Sequence, residues 1–274
     1  MNVKRVLTTV VGLPIVTLIM IFANKYIIDL ILTVVALIAM NEYVKCCSSK
    51  DAKIIKWISY VSVLFIAVVH IIPTAIFNAL IIMGVPLLLM ILFAHVIITD
   101  MKITYTDVAY TLLGIIYVVG SILFMALVYG LEGNISGKML IWFVLLAAWG
   151  TDIFAYIFGM KFGKHKFSKV SPNKSIEGCV AGTVSAAIVC LIYAYVLNTY
   201  FACTLSYLMI AVIAVILSIA GQIGDFSASV IKRFFGVKDY SNLFPGHGGM
   251  LDRIDSLMFI APVAYVIFAC LMLI

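Results

Sequence analysis

The chain alternates long apolar runs with short polar breaks, and the runs are of membrane-crossing length. About 20 apolar residues cross a bilayer as one helix. Nine runs approach that length: 6–23, 26–44, 54–72, 75–98, 106–129, 138–159, 178–198, 205–223 and 256–273. The expected fold is all-α, a polytopic integral membrane protein with about nine transmembrane helices. The third and fourth runs meet across Ile72-Pro73-Thr74, where the proline ends or bends a helix.

Composition agrees with this pattern. Apolar residues make up 65% of the 274 and charged residues 11%, against about half and a quarter in soluble domains. The basic residues then orient the chain. With the N-terminus in the cytoplasm, sixteen of the 18 Lys and Arg fall inside, and only Lys25 and Lys138 fall outside. That bias favours an odd number of crossings and a C-terminus outside. Lys4 and Arg5 before an apolar run resemble the start of a signal peptide, but the run is long and Asn24-Lys25 is no small-residue cleavage site. A retained first span is expected. The net charge of +6 follows from the inside bias and suits anionic headgroups, so nucleic-acid binding is not needed to explain it. The six cysteines, Cys46, Cys47, Cys179, Cys190, Cys203 and Cys270, form no C-x-x-C pair and read as inert thiols.

The two halves of the chain differ. Residues 1–137 read as an N-terminal transmembrane scaffold. Asp29, Asp100 and Asp107 near its span ends are expected to be solvated, His95 to be a hydrogen-bonded packing residue, and Glu42 to lie at the interface. Residues 138–274 read as a catalytic transmembrane region with two polar cytoplasmic loops, 160–177 and 224–255. Charge beside a bilayer is expensive, and a dense polar block there marks a functional site.

In the first loop region, Ala155, Gly159 and Gly163 recur at four-residue spacing, a small-residue face that admits a close neighbour helix. Asp152 lies one turn before Ala155, which places it toward a protein interface or cavity. The basic run Lys161 to Lys169 alone suits lipid headgroups. Ser171-Pro172 reads as a turn, Glu177 stands at the mouth of the seventh span, and Lys174 is close enough along a helix to pair with Glu177.

In the second loop region, Asp225 ends the eighth span after Gly221 and Gly224, and Lys232 and Arg233 follow two turns later. Pro245-Gly246-His247-Gly248-Gly249 is a loop with exposed backbone N–H groups. A helix beginning near Met250 then sets Asp252 and Asp255 at i, i+3 on one face. Carboxylates for a divalent cation and Lys, Arg and N–H groups for phosphate oxygens suit metal-assisted phosphoryl or nucleotidyl transfer. Oxygen ligands with phosphates point to Mg²⁺, and the lack of Cys or paired-His ligands points away from zinc. No serine, base and acid are arranged for a covalent intermediate, so direct in-line attack is the simpler expectation.

These residues resemble the phosphatidate cytidylyltransferases, or CDP-diacylglycerol synthases. The resemblance rests on Ser229, Lys232-Arg233, Lys238-Asp239 and the run from Pro245 to Asp255. Upstream it rests on Asp152, Ala155, Tyr156, Gly159 and Gly163, and on Ser171 to Gly178. It covers residues 140–260, and the first 135 residues match only as a stack of spans. It implies an integral membrane enzyme, in a bacterial plasma membrane, joining CTP to phosphatidic acid to give CDP-diacylglycerol and pyrophosphate. It implies a polytopic homodimer that uses Mg²⁺, with a monovalent cation such as K⁺ at a second site. Asp225, Asp252 and Asp255 would be the metal carboxylates and, with Lys232 and Arg233, the catalytic set. Asp152, Ser171, Lys174, Glu177, Ser229, Lys238, His247, Gly248, Gly249 and Arg253 would contact substrate. Ala228 stands where the family often has Glu, and Asn173 and Ile176 where Lys and Trp are common, so no role carries over at those three positions.

Two other readings compete. One is a membrane transferase acting on a polyprenol-linked phosphate. The other is a transporter for a phosphorylated solute, whose inverted repeats should leave internal symmetry. The sequence shows none, and its charges gather at one face.

Overall fold

The structure, a computed structural model, describes residues 3–168, 170–172, 174–244 and 248–272; side chains at 3–11, 13, 74 and 272 lie outside the description. In chain order the helices are α1 Val3–Phe22, α2 Lys25–Ser48, α3 Lys56–Ala67, α4 Thr74–Ile98, α5 Tyr105–Gly114, α6 Ser121–Tyr129, α7 Gly137–Phe162, α8 Ile176–Tyr200, α9 Tyr207–Phe234, α10 Leu251–Ile254 and α11 Leu257–Met272. A π-helical stretch, Ile115–Gly120, joins α5 to α6 into one rod. Among the described residues no strand forms, only two isolated antiparallel bridges.

Every one of the nine apolar runs holds a helix, so the all-helical, polytopic character stands. Among the described residues six helices are long and apolar enough to cross a membrane: Lys25–Ser48, Ala75–Ile98, Tyr105–Tyr129, Gly137–Phe162, Ile176–Tyr200 and Tyr207–Phe234. The third run is broken. Its helix α3 has 12 residues, about 18 Å at 1.5 Å per residue, well short of the ~30 Å hydrocarbon thickness. Helix α11 has 16 residues, about 24 Å by the same rise. A count of nine crossings therefore does not follow from helix length. Helix α9 outruns its expected end at 223 because no breaker intervenes before Gly236, where φ of +76° admits a left-handed turn. Asp225, Lys232 and Arg233 thus ride on one continuous helix.

The chain forms two compact units: Met1–Ala126 with Phe234–Arg253, and Leu127–Arg233 with Ile254–Ile274. In the first, α2 buries Ile28, Leu32, Ala36, Met40, Tyr43 and Cys47 on a helical stripe. The Tyr43 hydroxyl donates to the Tyr110 carbonyl at 3.0 Å. Two acids expected to be solvated are buried. Asp29 is fully enclosed, with both carboxylate oxygens within 2.9 Å of His70 Nδ1. Asp107 accepts from the Lys53 and Thr104 backbone N–H groups at 2.7 and 2.8 Å and closes a capping box on α5. Being near a span end exposed neither, because each has donors to satisfy it. Asp100 is exposed, as expected. His95 meets the edge of Trp57, ring centroids 5.7 Å apart.

In the second unit α7 and α8 approach at backbone distance along their small residues. A Cβ on Gly182 would stand 2.7 Å from the Thr151 carbonyl oxygen, and one on Gly178 would stand 2.7 Å from that of Ala155. Side-chain hydroxyls and an amide tie this seam to α9. Thr151 donates to Ser218 at 2.7 Å, Ser218 to Thr183 at 3.1 Å, and Gln222 to Thr183 at 2.8 Å. Such a polar chain among apolar helices fixes their register, since any slip strands its members.

Gly182→Leu should force α7 and α8 apart. Overpacking of this kind costs about 1–3 kcal/mol. The detergent-solubilised protein should melt several degrees lower, while Val180→Leu, on an exposed face of α8, should leave the melting temperature unmoved.

Candidate active site

The residues singled out in the sequence are distributed over the two units. In the second unit, Ser175 caps α8 by accepting the Gly178 N–H at 3.2 Å. Glu177, in the first helical turn, accepts the backbone N–H groups of Lys164 and His165 at 3.2 Å each, and its Oε1 lies 2.6 Å from His165 Nδ1. The chain folds back between α7 and α8: Phe167 N–H donates to the Lys174 carbonyl, Ile176 N–H to that of His165, and the Ser171 carbonyl accepts Lys174 N–H. The expected Lys174–Glu177 pair does not form. Glu177 is occupied by the loop backbone, and the fold-back delivers Lys174 to Asp225 on α9, where the two form an ion pair. Lys174 Nζ also lies 4.6 Å from the Phe226 ring, and Phe226 stacks on Phe167 at 4.6 Å.

Gly224 explains the next step. A Cβ there would stand 2.5 Å from the Asp255 carbonyl oxygen, so only glycine lets the turn before α11 reach α9. Asp255 is buried and its Oδ1 accepts the Ser256 N–H at 2.9 Å. Burial first, then the negative charges of Asp225 and Asp152, push its carboxyl up to about 8, with Lys232 opposing. Asp152 is exposed; the seam against α8 is taken by Thr151 and Ala155, and Asp152 instead accepts from the Ser256 hydroxyl at 3.5 Å. Ser229 is half-buried, Arg233 is exposed, and Ala228 is fully buried.

In the first unit the Gly-rich segment is held by two carboxylates. Asp252 Oδ2 accepts the N–H groups of Tyr240 and Gly249, both at 2.9 Å. Glu42, expected at the interface, is buried. Its Oε1 accepts the Ser241 hydroxyl at 2.5 Å and Met250 N–H at 2.9 Å, and its Oε2 accepts Leu251 N–H at 2.8 Å. The helix near Met250 is a single turn, α10. The N–H groups from Gly249 to Leu251, on the loop expected to offer N–H groups to anions, are bonded to these acids. Lys238 and Arg253 are exposed. His247, Pro245, Gly246, Lys169 and Asn173 lie outside the described residues.

A family model described as "Cytidylyltransferase family" matches residues 3–271. The chain belongs to the cytidylyltransferase family. Relatives named phosphatidate cytidylyltransferase share 40% identity over 173 residues (Staphylococcus saprophyticus subsp. saprophyticus), 37% over 174 (Staphylococcus haemolyticus) and 36% over 174 (Staphylococcus aureus). Each alignment covers 63% of this chain and 63% of the relative, so the chain spans under two thirds of the length of these relatives.

The donor chemistry fits an oxygen-seeking divalent cation. Asp255 sits in a field of like charge from Asp225 and Asp152, which a cation would relieve. Among the described residues no three His, Cys, Asp or Glu side chains form a ready cage. Mg²⁺ suits such a site, because it keeps waters and substrate phosphates in its shell.

The sequence reading missed Glu42, the Thr151–Ser218–Thr183–Gln222 chain and the Phe167–Phe226 stack. For Glu42 the signal was present: an acid within an otherwise apolar helix needs a partner.

Glu177→Ala should free the 164–167 backbone while leaving α7 and α8 packed. Trypsin should then cut after Lys164 and Lys166 several-fold faster with the melting temperature little changed; unchanged cutting would show that Glu177 does not hold this loop.

Proposed function

We propose that this cytidylyltransferase-family member transfers the cytidylyl group of CTP to phosphatidic acid, forming CDP-diacylglycerol and pyrophosphate. The observation that carries the reading is the cluster around Asp255. Asp225, Asp152 and Lys232 surround one buried carboxylate, and Lys174 pairs with Asp225, in a family named for cytidylyl transfer. Asp225 and Asp255 would hold Mg²⁺, with Asp252 as the further carboxylate of the sequence signature. Bound Mg²⁺ supplies charge neutralisation on the nucleotide phosphates and the departing pyrophosphate.

Lys174 would leave Asp225 for a phosphate oxygen of CTP, and Lys232 and Arg233 would hold the remaining phosphate charge in line. The phosphate oxygen of phosphatidic acid forms the new bond to the α-phosphorus, and the α–β bridging bond breaks toward pyrophosphate. An ionised phosphate needs no side-chain base. Ser171, Ser229, Lys238, His247 and Arg253 are proposed substrate contacts on the strength of the resemblance, which extends to a homodimer, a bacterial plasma membrane and a second, monovalent cation site.

The basic-residue bias supports a nine-crossing topology with the polar loops in the cytoplasm. Mismatch at α3 and α11 would be met by local thinning of the bilayer. Reporter fusions after Lys102 and Lys238 should then read cytoplasm, and a fusion at the C-terminus should read outside. A cytoplasmic C-terminus overturns the nine-crossing arrangement.

The purified protein should release pyrophosphate only when given CTP and phosphatidic acid together, lose this with a strong chelator and regain it with Mg²⁺. Asp225→Asn or Asp255→Asn should lower kcat on the order of 10²-fold or more, the scale of losing a principal transition-state contact. Retention of over about a tenth of turnover, a loss under roughly 1.4 kcal/mol, would place the chemistry elsewhere.

A further inference from the structure

Glu42 is far from the signature in sequence yet is bonded to it. It lies on α2 and is buried to 3% exposure. Both its carboxylate oxygens are engaged: Ser241 Oγ at 2.5 Å and Met250 N–H at 2.9 Å on one, Leu251 N–H at 2.8 Å on the other. The fit is steric as well as polar. A Cβ at position 249 would lie 2.6 Å from each Glu42 oxygen, so glycine there is what lets the carboxylate reach the backbone. Asp252 grips the same segment from the other side through Gly249 and Tyr240 N–H. Gly248, at φ +80°, leaves room for it, since a Cβ would meet Asp252 Oδ2 at 2.7 Å. Three successive amides, 249 to 251, are thus shared between one acid on α2 and one within the signature.

Backbone amides at a helix start can be satisfied by water or by an adjacent Ser or Asp. Recruiting a buried glutamate some 200 residues away costs desolvation of a charge-bearing group. Charge-assisted hydrogen bonds to a carboxylate are strong and directional, so their combined effect is to fix where Ser241, Met250 and Leu251 lie. Asp252 and Arg253 follow directly on those amides.

We propose that Glu42 is a positioning residue for the transfer reaction: it clamps the Gly-rich segment to α2 and so sets the placement of Asp252 and Arg253. It touches no reacting atom. The role rests on the proposed cytidylyl transfer, and it implies that the N-terminal helices contribute to turnover as well as to membrane anchoring.

The test uses the full chain in detergent, comparing wild type with Glu42→Gln, Glu42→Asp and Ser241→Ala. Gln keeps the shape but turns one acceptor into an amide donor facing a backbone N–H. Hydrogen exchange at the Met250 and Leu251 amides should quicken by about 10-fold or more in Glu42→Gln, as a locally opened segment does. The kcat should fall on the order of 10- to 100-fold, the usual result of a catalytic group displaced by about an ångström. The Mg²⁺ concentration for half-maximal rate should rise, and the KM for phosphatidic acid should hold. Glu42→Asp should recover part of kcat, and Ser241→Ala, which alters only the loop, should show a smaller shift of the same kind if Glu42→Gln fails to fold. Unchanged amide exchange overturns the clamp. Faster exchange with unchanged kcat and Mg²⁺ dependence makes Glu42 merely structural and overturns the positioning role. A wild-type chain inactive with CTP and phosphatidic acid sinks the proposed reaction instead, and amide exchange then decides the clamp by itself.

Discussion

Burying a carboxylate among apolar helices costs several kcal/mol unless donors surround it, and this chain places many of its acids under that constraint. Asp29 meets His70. Asp107 meets the Thr104 and Lys53 amides. Glu42 and Asp252 share the amides from Gly249 to Leu251, and Glu177, less buried, takes those of Lys164 and His165. Apart from Asp29, each of these acids organises a loop or a helix start, because a backbone N–H is the donor an apolar chain always has at hand. Asp255 departs from the pattern. It is buried, accepts the Ser256 N–H, and has the carboxylates of Asp225 and Asp152 as neighbours, with Lys232 opposing them. Carboxylates perturbed in this way cluster at functional sites.

The same constraint explains what could be read from the sequence. Each of the nine apolar runs marked a place where helix forms, because a segment in lipid must satisfy its backbone internally. The runs could not give the helices' lengths. Nothing in the 54–72 run announces that α3 stops at Ala67, since that end comes from how the chain turns toward Pro73. The small residues at 155, 159 and 163 marked α7 as open to a close neighbour, because close packing in a membrane has few other solutions; that the neighbour is α8, through Gly178 and Gly182, came from the structure. Which neighbour of that seam faces it was less legible: a rotation of one residue puts Thr151 there and leaves Asp152 exposed.

The candidate site was legible as a list of residues and much less so as a set of pairings. Lys174 and Glu177 are spaced to meet on a helix, but α8 begins only at Ile176, so Lys174 sits in the fold-back and reaches Asp225. The Gly-rich segment read as a cradle of amides for phosphate. From Gly249 onward those amides bond to Glu42 and Asp252, and this could not be seen without knowing where α2 lies. Pairings across 50 to 200 residues depend on tertiary placement, which local spacing does not encode.

These two limits share a cause that bears on how such a site can work. A glycine-rich segment has little intrinsic preference for one conformation. Held only by its own sequence it would sample many arrangements, and each turnover would wait on the right one. Tying three consecutive amides to carboxylates converts the segment into a rigid support. The Gly residues at 248 and 249 are then needed for close approach by acids as much as for approach by a substrate. The polar block is accordingly two things at once. Asp225, Asp255 and Lys174 form its charged centre in one unit, and Glu42 with Asp252 forms the frame of its loop in the other. Substitutions in the centre should act on chemistry while leaving the loop's amide protection alone, whereas substitutions in the frame should change both, and that difference separates the two roles without reference to any relative.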